Sequence, residues 1–376
     1  MKKTVGIISL SVIGKDGRVL RQVEYLSREN NVHVIGYEPA PQKYDGLPNV
    51  TWHELPSKYF RFPLWSIKLF ARLIQAPFFP RSHAAFRIAH QLQCDAYHAN
   101  NWDALPFAAM AAKQNGAKLV LDIHESYDAW YWGWITPITK YIFRKYSKQI
   151  DTSTTAGRRY AEQHKEFGLD PVVVLNAPDN SSFVPAFRKT EQTAIQLIHH
   201  GPATHARTSD LMIRAIALSA PRYKLRLTLT NPGTNYVHYL ERLADQIAPG
   251  RVTFHPPVPP FDIVSEIAQY DIGFFPLPPK NYNYLITLPN KLFEFMTAGL
   301  AVCIGPSLSM AEIVREYQCG VIAPSFDPAD IAKVLNDTSA EQWNDMRKAS
   351  LQAAKVLNAE NEMGKVLGIY RELFRE

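Results

Sequence analysis

One pattern constrains this chain more than any other. Short apolar runs rich in β-branched and aromatic residues recur along its whole length, with helix-like segments between most of them. TVGIISL, NVHVIGY, AYHAN, KLVLDIH and PVVVLN come first; AIQLIHH, KLRLTLT, RVTFHP, IGFFPL, AVCIG and GVIAP follow. Alternation of this kind predicts parallel sheets wrapped by helices, an α/β protein. So many strands in 376 residues fit two sheets better than one. The natural break is NAPDNSSFVPAFRKTEQ, Asn176 to Gln192, rich in Pro, Ser and Asn. The expected division is therefore a first domain over residues 1–178, a second over 179–355, and a C-terminal helix over 356–376 that packs back toward the first domain.

Composition excludes several classes. With 46% hydrophobic and 20% charged residues the chain has ample core, which rules out a disordered or fibrous protein. No apolar run reaches the ~18 residues a membrane span needs. The opening MKKTVGIISLSVIG has the charge and apolarity of a leader but lacks a small-residue cleavage site. It reads better as a buried strand, Thr4 to Leu10, followed by a turn at Gly14 and Gly17. Cys94, Cys303 and Cys319 are too few and too scattered for a disulfide framework or a zinc site, as expected of a cytoplasmic protein.

Charge is uneven. Residues 1–179 hold 22 Lys and Arg against 16 Asp and Glu, and the remainder 19 against 19, so the net +6 belongs to the first half. It concentrates in two acid-free stretches. Between Glu54 and Asp95 lie Lys58, Arg61, Lys68, Arg72, Arg81 and Arg87; between Asp128 and Asp151 lie Lys140, Arg144, Lys145 and Lys148. Phe60, Phe62, Trp65, Phe70, Phe78 and Phe79 crowd the first, and Trp130, Trp132 and Trp134 open the second. Basic, tryptophan-bearing segments without acids have the composition of interfacial membrane contact, so an anionic membrane surface is an expected partner. Nucleic acid is not, because no recognition motif accompanies the charge.

In open parallel sheets ligands bind beyond the carboxyl ends of the strands. Those ends carry no G-x-G-x-x-G, no P-loop and no G-x-S-x-G elbow, which argues against dinucleotide dehydrogenases, P-loop NTPases and serine hydrolases. His199 and His200 alternate across a strand and do not form a shared metal site, and no metal requirement is read. The most informative run is LPNKLFEFMTAGLAVCIG, Leu288 to Gly305. Leu292, Phe295 and Met296 form one apolar helical face. Pro289 signals the helix start, and Lys291 and Glu294 neighbour each other near it. A helix N-terminus with a lysine is an anion site suited to a diphosphate. A glutamate one turn on can accept hydrogen bonds from a vicinal diol such as ribose; the alternative is a Glu–Lys pair on a solvated face.

This run resembles the signature of the family 4 glycosyltransferases, in particular the branch with a PNK-x-x-E-Y-M-A-A-G-x-P-V motif. GKDGRVLRQVEYLSRENNVHV is similar to the family's first loop and helix, and DAYHANNWDALPFAAMAAKQNGAKLVLDIHESY to its third and fourth strand regions with the D-x-H-E turn. DPVVVLNAPD resembles the exit from the first domain, and HHGPATHARTSDLMIRAIALS the first loop and helix of the second. RVTFHPPVP and YDIGFFPLP are similar to the strands framing the base site. The resemblance covers nearly the whole chain. It implies the GT-B fold, two Rossmann-like domains facing across a cleft. The implied activity is that of a metal-independent retaining hexosyltransferase with no cofactor, whose substrate is a nucleotide-diphosphate sugar, a UDP-sugar most readily. The implied acceptor is a glycan or lipid-linked glycan in polysaccharide or glycolipid synthesis. Closure over the donor would protect the activated sugar from water. The enzyme would be cytoplasmic and peripheral on the inner membrane face. The other readings are a catalytically silent homologue and a GT-B sugar-nucleotide epimerase.

Roles carry over by position. Glu294 matches the second glutamate of the family's pair, which binds the ribose; the first would fall at Ile286 and is absent, so donor-sugar recognition must differ. Asn283, Tyr284 or Asn290 could substitute. Arg207 matches the family's phosphate-binding lysine, while the arginine usual after the glycine is replaced by Pro202. Diphosphate neutralisation then falls on Arg207, Lys291 and helix N-termini. His124 matches the histidine facing the donor sugar, with Glu125 beside it as a second catalytic candidate that could instead be, like Asp128, a capping or salt-bridging residue. Gly14 and Gly17 match a loop where backbone must approach the diphosphate. Trp102 and Asp103 are candidates for acceptor contact or for core and turn.

Overall fold

Parallel pairing of every neighbouring strand turns the apolar runs into two separate sheets. The computed structural model describes residues 2–37, 44, 46–55, 83–126, 136–179, 183, 185–259 and 261–375. The chain divides into a first unit, Met1–Leu175 with Glu362–Glu376, and a second, Asn176–Asn361. The basic aromatic stretch of residues 56–82, and Asp128, Trp130, Trp132 and Trp134, lie outside the described residues. No described helix is long and apolar enough to cross a membrane.

The first unit holds β1 (Thr4–Val12), β2 (Asn31–Tyr37), β3 (Val50–Glu54), β4 (Ala96–Asn100), β5 (Lys118–Ile123), β6 (Thr152–Thr155) and β7 (Val172–Val173). Its helices are α1 (Gly17–Glu29), α2 (Ala84–Leu92), α3 (Leu105–Asn115), α4 (Thr136–Tyr146) and α5 (Arg158–His164). The strand order is β3-β2-β1-β4-β5-β6-β7. Val5, Ile7 and Ile8 of β1 are all fully buried, because a parallel sheet is covered on both faces and its strands read as continuous apolar runs. Helix α1 starts where the Asp16 side chain accepts the Val19 amide, and it buries Val19, Leu20, Val23 and Leu26. Strand β3 escapes the apolar pattern because VTWHE is an edge strand with partly exposed positions. Strand β6 escapes it because TSTT is polar, although three of its four residues are buried. The run PVVVLN contributes only Val172–Val173.

The second unit holds β8 (Ile195–Gly201), β9 (Tyr223–Leu229), β10 (Val252–His255), β11 (Ile272–Phe275), β12 (Ala301–Ile304) and β13 (Gly320–Ile322), in the order β10-β9-β8-β11-β12-β13. Around them lie α6 (Asp210–Leu218), α7 (Asn235–Ile247), α8 (Ile263–Ile267), α9 (Tyr282–Ile286), α10 (Asn290–Thr297), α11 (Leu308–Tyr317), α12 (Pro328–Asp337) and α13 (Ala340–Ala354). Gly273 in β11 explains how closely α10 approaches the sheet. A Cβ there would lie 2.1 Å from the Phe295 ring, so only glycine admits the helix. The last helix, α14 (Ala359–Leu373), enters the first unit at Glu362, six residues beyond the expected start of the tail. There Glu362 accepts the Leu175 amide at 2.8 Å, and the Tyr370 hydroxyl sits 2.9 Å from Nδ1 of His98.

Each sheet reverses its winding once, between β1 and β4 in the first and between β8 and β11 in the second. These are the positions at which open α/β sheets leave a crevice beyond the strand ends.

Candidate functional site

The second unit holds three of the residues singled out from the sequence, Arg207, Lys291 and Glu294, near the end of one strand. Strand β8 ends in His200 and Gly201, and Gly201 has φ +110, a conformation that favours glycine. Lys291, the second residue of α10, is 6% exposed and reaches back to donate from Nζ to the His200 carbonyl at 2.7 Å. Its ammonium lies 4.2 Å from the centre of the Phe275 ring. A Cβ at Gly201 would come within 3.1 Å of that ammonium, so the bare backbone of Gly201 faces the charge. Glu294, one turn further on, is partly exposed and brings Oε2 to 3.2 Å from His200 Nε2.

Burial pushes the Lys291 pKa well below the usual lysine range, the Arg207 guanidinium pushes it further, and Glu294 opposes both. An anion bound beside Lys291 would offset both effects and favour its charged form. Arg207 supplies its charge from the 3-10 turn His205–Arg207 that follows β8. Beyond it the buried hydroxyls of Thr208 and Ser209, at the start of α6, have no hydrogen-bond partner among the described residues. A recess lined by His200, Gly201, Thr228, Thr230, Pro257, Val258, Ile263 and Ile267 opens beside the strand end.

The other expectations fare differently. Asn290 is exposed at the first position of α10. Ile286 is 1% exposed and belongs to the core, so no carboxylate or other polar group stands at that position. Asn283 is buried and Tyr284 half-buried in α9, whose N-terminus Asn281 caps through the Tyr284 amide.

The first unit builds a second cluster at its own crevice. Asn100, Asp122 and Thr154 stand side by side on β4, β5 and β6, all buried. Asp122 takes two 2.7 Å hydrogen bonds from Arg18, one from Nε and one from Nη2, and another at 2.7 Å from the Thr154 hydroxyl. Gln22 donates to it as well. His124 Nε2 lies 2.9 Å from Asp122 and 3.0 Å from the Asn100 side-chain oxygen. Burial opposes the imidazolium, but the Asp122 carboxylate outweighs burial and raises the His124 pKa. Burial likewise opposes the carboxylate, and Arg18 outweighs it, holding Asp122 well below its ordinary range. His98 beside them is pushed down to about 4 by burial.

Glu125, next to His124 and exposed, has its pKa raised by loss of solvent, with the His124 charge opposing that rise. Gly14 lies in the 3-10 turn Ile13–Lys15 and Gly17 opens α1. Neither has a positive φ, and a Cβ at Gly17 would make only an ordinary 3.5 Å contact with Arg21. The backbone of the unit itself therefore does not demand glycine at Gly17. Trp102 is a core residue, 5% exposed, and Asp103 is partly exposed beside it. Sequence reasoning missed Arg18, Asn100, Asp122 and His200. Asp122 was visible inside KLVLDIH as the single charge in the interior of an apolar strand, the signal of a buried, paired carboxylate.

Two Rossmann-like units of parallel sheet, each with polar groups at its winding reversal, make up the GT-B architecture. Residues 18–180 match the family model Glycosyltransferase Family 4, and residues 195–340 the model Glycosyl transferases group 1. The chain thus carries, in that order, a match to a family 4 glycosyltransferase domain and a match to a group 1 glycosyl transferase domain, which support a GT-B glycosyltransferase. A search by sequence among curated proteins finds no match. Solved structures share the fold at low identity. A crystal structure of Anabaena HepE in complex with UDP and glucose superposes with a TM-score of 0.73 at 12% identity, covering 98% of this chain and 100% of that one. Sucrose-phosphate synthase from Thermosynechococcus elongatus gives 0.77 at 15% identity over 100% of both chains. A glycosyltransferase from Rickettsia africae gives 0.72 at 14% identity over 100% and 99%.

Proposed function

We propose that the chain transfers a hexosyl group, with retention, from a nucleoside-diphosphate sugar, a UDP-sugar, to a glycan or lipid-linked acceptor in polysaccharide or glycolipid synthesis. The observation that carries this reading is the end of β8, where buried Lys291 reaches the His200 carbonyl and Glu294 offers a carboxylate nearby. HepE, a protein of similar fold, was crystallised with UDP and glucose.

In this reading Arg207 and Lys291 hold the diphosphate as negative charge develops on the leaving group, the main task in such a transfer. Glu294 accepts hydrogen bonds from the ribose diol. In the first unit His124, oriented by Asp122, is assigned to the donor sugar. Calorimetry with nucleoside, monophosphate and diphosphate tests the assignment. Arg207→Ala and Lys291→Ala should lose most for the diphosphate, and equal losses for all three ligands would remove them from the phosphate site.

The acceptor side rests on charge. Helix α4 carries exposed Arg144 and Lys145 next to exposed Tyr141. With the basic aromatic segments outside the described residues, it favours docking on an anionic inner leaflet. Co-sedimentation with anionic vesicles should fall at high salt and on charge reversal of Lys68, Arg72, Arg144 and Lys145. One observation favours a silent homologue instead, the apolar, buried Ile286. Release of nucleoside diphosphate from a sugar nucleotide separates the two, since a silent protein releases none.

A further inference from the structure

Arg207 stands on a short segment whose backbone is strained. The 3-10 turn His205–Arg207 leads through Thr208 and Ser209 into Asp210, the first residue of α6. Thr208 has φ +47, in the left-handed region. A β-branched side chain disfavours that conformation and keeps it only where the surroundings over-determine the backbone. Two main-chain bonds close the turn: the Arg207 N–H donates to the Thr204 carbonyl at 3.0 Å, and the Thr208 N–H to the His205 carbonyl at 3.3 Å. A further restraint comes from the next helix. Tyr236, the second residue of α7, is 7% exposed. Its hydroxyl donates to Asp210 Oδ1 at 3.0 Å and accepts the Asp210 N–H at 3.4 Å. Its ring packs on the His205 ring, centroids 4.0 Å apart and planes at 43°. One rigid side chain thus grips the segment on both sides of Arg207. The grip is anchored in turn, because Thr234 caps α7 by accepting the Val237 amide and the helix buries Val237, Leu240 and Leu243. Arg214 steadies the same carboxylate from α6, with Nε 3.3 Å from Asp210 Oδ2.

We propose that Tyr236 is a positioning residue that holds the turn carrying Arg207 in place to receive the diphosphate of a bound nucleotide, an inference that rests on the nucleotide reading of this site. It acts through His205 on one side of the arginine and Asp210 on the other. Its hydroxyl can be removed while the ring stays on His205. Without the hydroxyl, fewer molecules have Arg207 in the receiving position, and the apparent affinity falls with that fraction.

Calorimetry on the full chain tests this. UDP, GDP and ADP are titrated into the wild type, and the tightest is carried forward with its nucleoside. Tyr236→Phe is expected to bind the diphosphate about tenfold more weakly, the scale of one lost hydrogen bond to a charged group. The nucleoside should bind as it does to the wild type. A side chain that served stability alone would lower the melting temperature and leave the ratio of diphosphate to nucleoside affinity unchanged. In an Arg207→Ala background Tyr236→Phe should cost nothing further, because the turn then carries no group to position. An unchanged ratio in Tyr236→Phe overturns the proposal, as does an undiminished loss in the Arg207→Ala background. Should Tyr236→Phe fail to fold, His205→Ala, which removes the other hold on the turn, decides on the same two counts. A wild type that binds none of the three diphosphates, or an Arg207→Ala variant that binds the diphosphate unchanged, overturns the nucleotide reading at Arg207 and takes the proposal with it.

Discussion

Both units bury an aspartate completely and surround it with arginine, and the two aspartates do different work. Asp122 sits near the carboxyl end of β5, held by Arg18, Gln22 and Thr154, with His124 on its outer side. Asp271 sits just before the first residue of β11, at the opposite end of its strand. It accepts Arg188 at 2.7 Å, Thr190 at 3.0 Å, Arg347 at 3.1 Å and the Gln196 amide at 2.8 Å. All of its partners are structural: Arg347 also binds the carbonyls of Gly299 and Arg188 and so ties α13 to the segment that leads into β8. The chemistry is the same and the end of the strand differs. A parallel sheet has one face of strand ends that opens into a crevice, and a buried carboxylate there displays its neighbour. At the other end it can only organise the chain.

The sharpest way to break the comparison is to remove each carboxylate. Asp271→Ala strips the counter-charge from a buried arginine and should destabilise the second unit by about 3–5 kcal/mol. The surviving folded protein should keep its nucleotide affinity. Thermal unfolding alongside calorimetry checks both, and a large loss of affinity at an unchanged melting temperature would place Asp271 in the site.

Asp122→Asn should behave the other way. It keeps the volume and part of the hydrogen bonding, so the stability loss should be smaller, about 1–3 kcal/mol. Turnover should fall tenfold or more, because His124 loses the group that orients it. His124→Ala should reproduce that fall with wild-type affinity for the nucleoside diphosphate. If both variants turn over normally, the first cluster is as structural as the second.

Glu294→Ala separates the two crevices. It should weaken nucleoside diphosphate binding by about 1–3 kcal/mol and leave folding intact. Unchanged affinity would take Glu294 out of the ribose site.

The smallest effect is a pH dependence. His124 has its pKa raised above the ordinary 6.5, so its stabilisation is complete below that value and is lost as pH climbs through the folded-state pKa. Asp122 is depressed below 3.8, so its share is complete above that value and is lost only as pH falls through the depressed pKa. The pair therefore contributes most between 3.8 and 6.5. Melting temperatures of wild type and Asp122→Asn from pH 5 to 9 should converge as the pH rises. A constant gap would mean that the pair does not titrate in this way.

Particular residues show where sequence reading succeeds and where it stops. Strands such as Ile272–Phe275 and Ala301–Ile304 are apolar throughout, because burial on both faces writes itself into composition. Strand β6 is equally buried, yet TSTT reads as a loop, since its hydroxyls are satisfied by Asp122 and by the Ile123 carbonyl, partners distant in sequence. Gly17 opens a helix capped by Asp16, as the amphipathic pattern that follows it implies.

Local periodicity and motif spacing determined the class of fold, the linker near Asn176, the strand ends at which chemistry gathers, and the pairing of Lys291 with Glu294 on one helix. Those properties depend on residues close in sequence, where spacing alone sets which side chains share a face. The tertiary structure decided what the charged side chains touch. It turned Lys291 inward onto the His200 carbonyl, joined Arg18 to Asp122 across 104 positions and set Ile286 in the core. A side chain's partner, its burial and hence its protonation depend on which strands become neighbours. That is settled only when the sheet closes and desolvates the groups together.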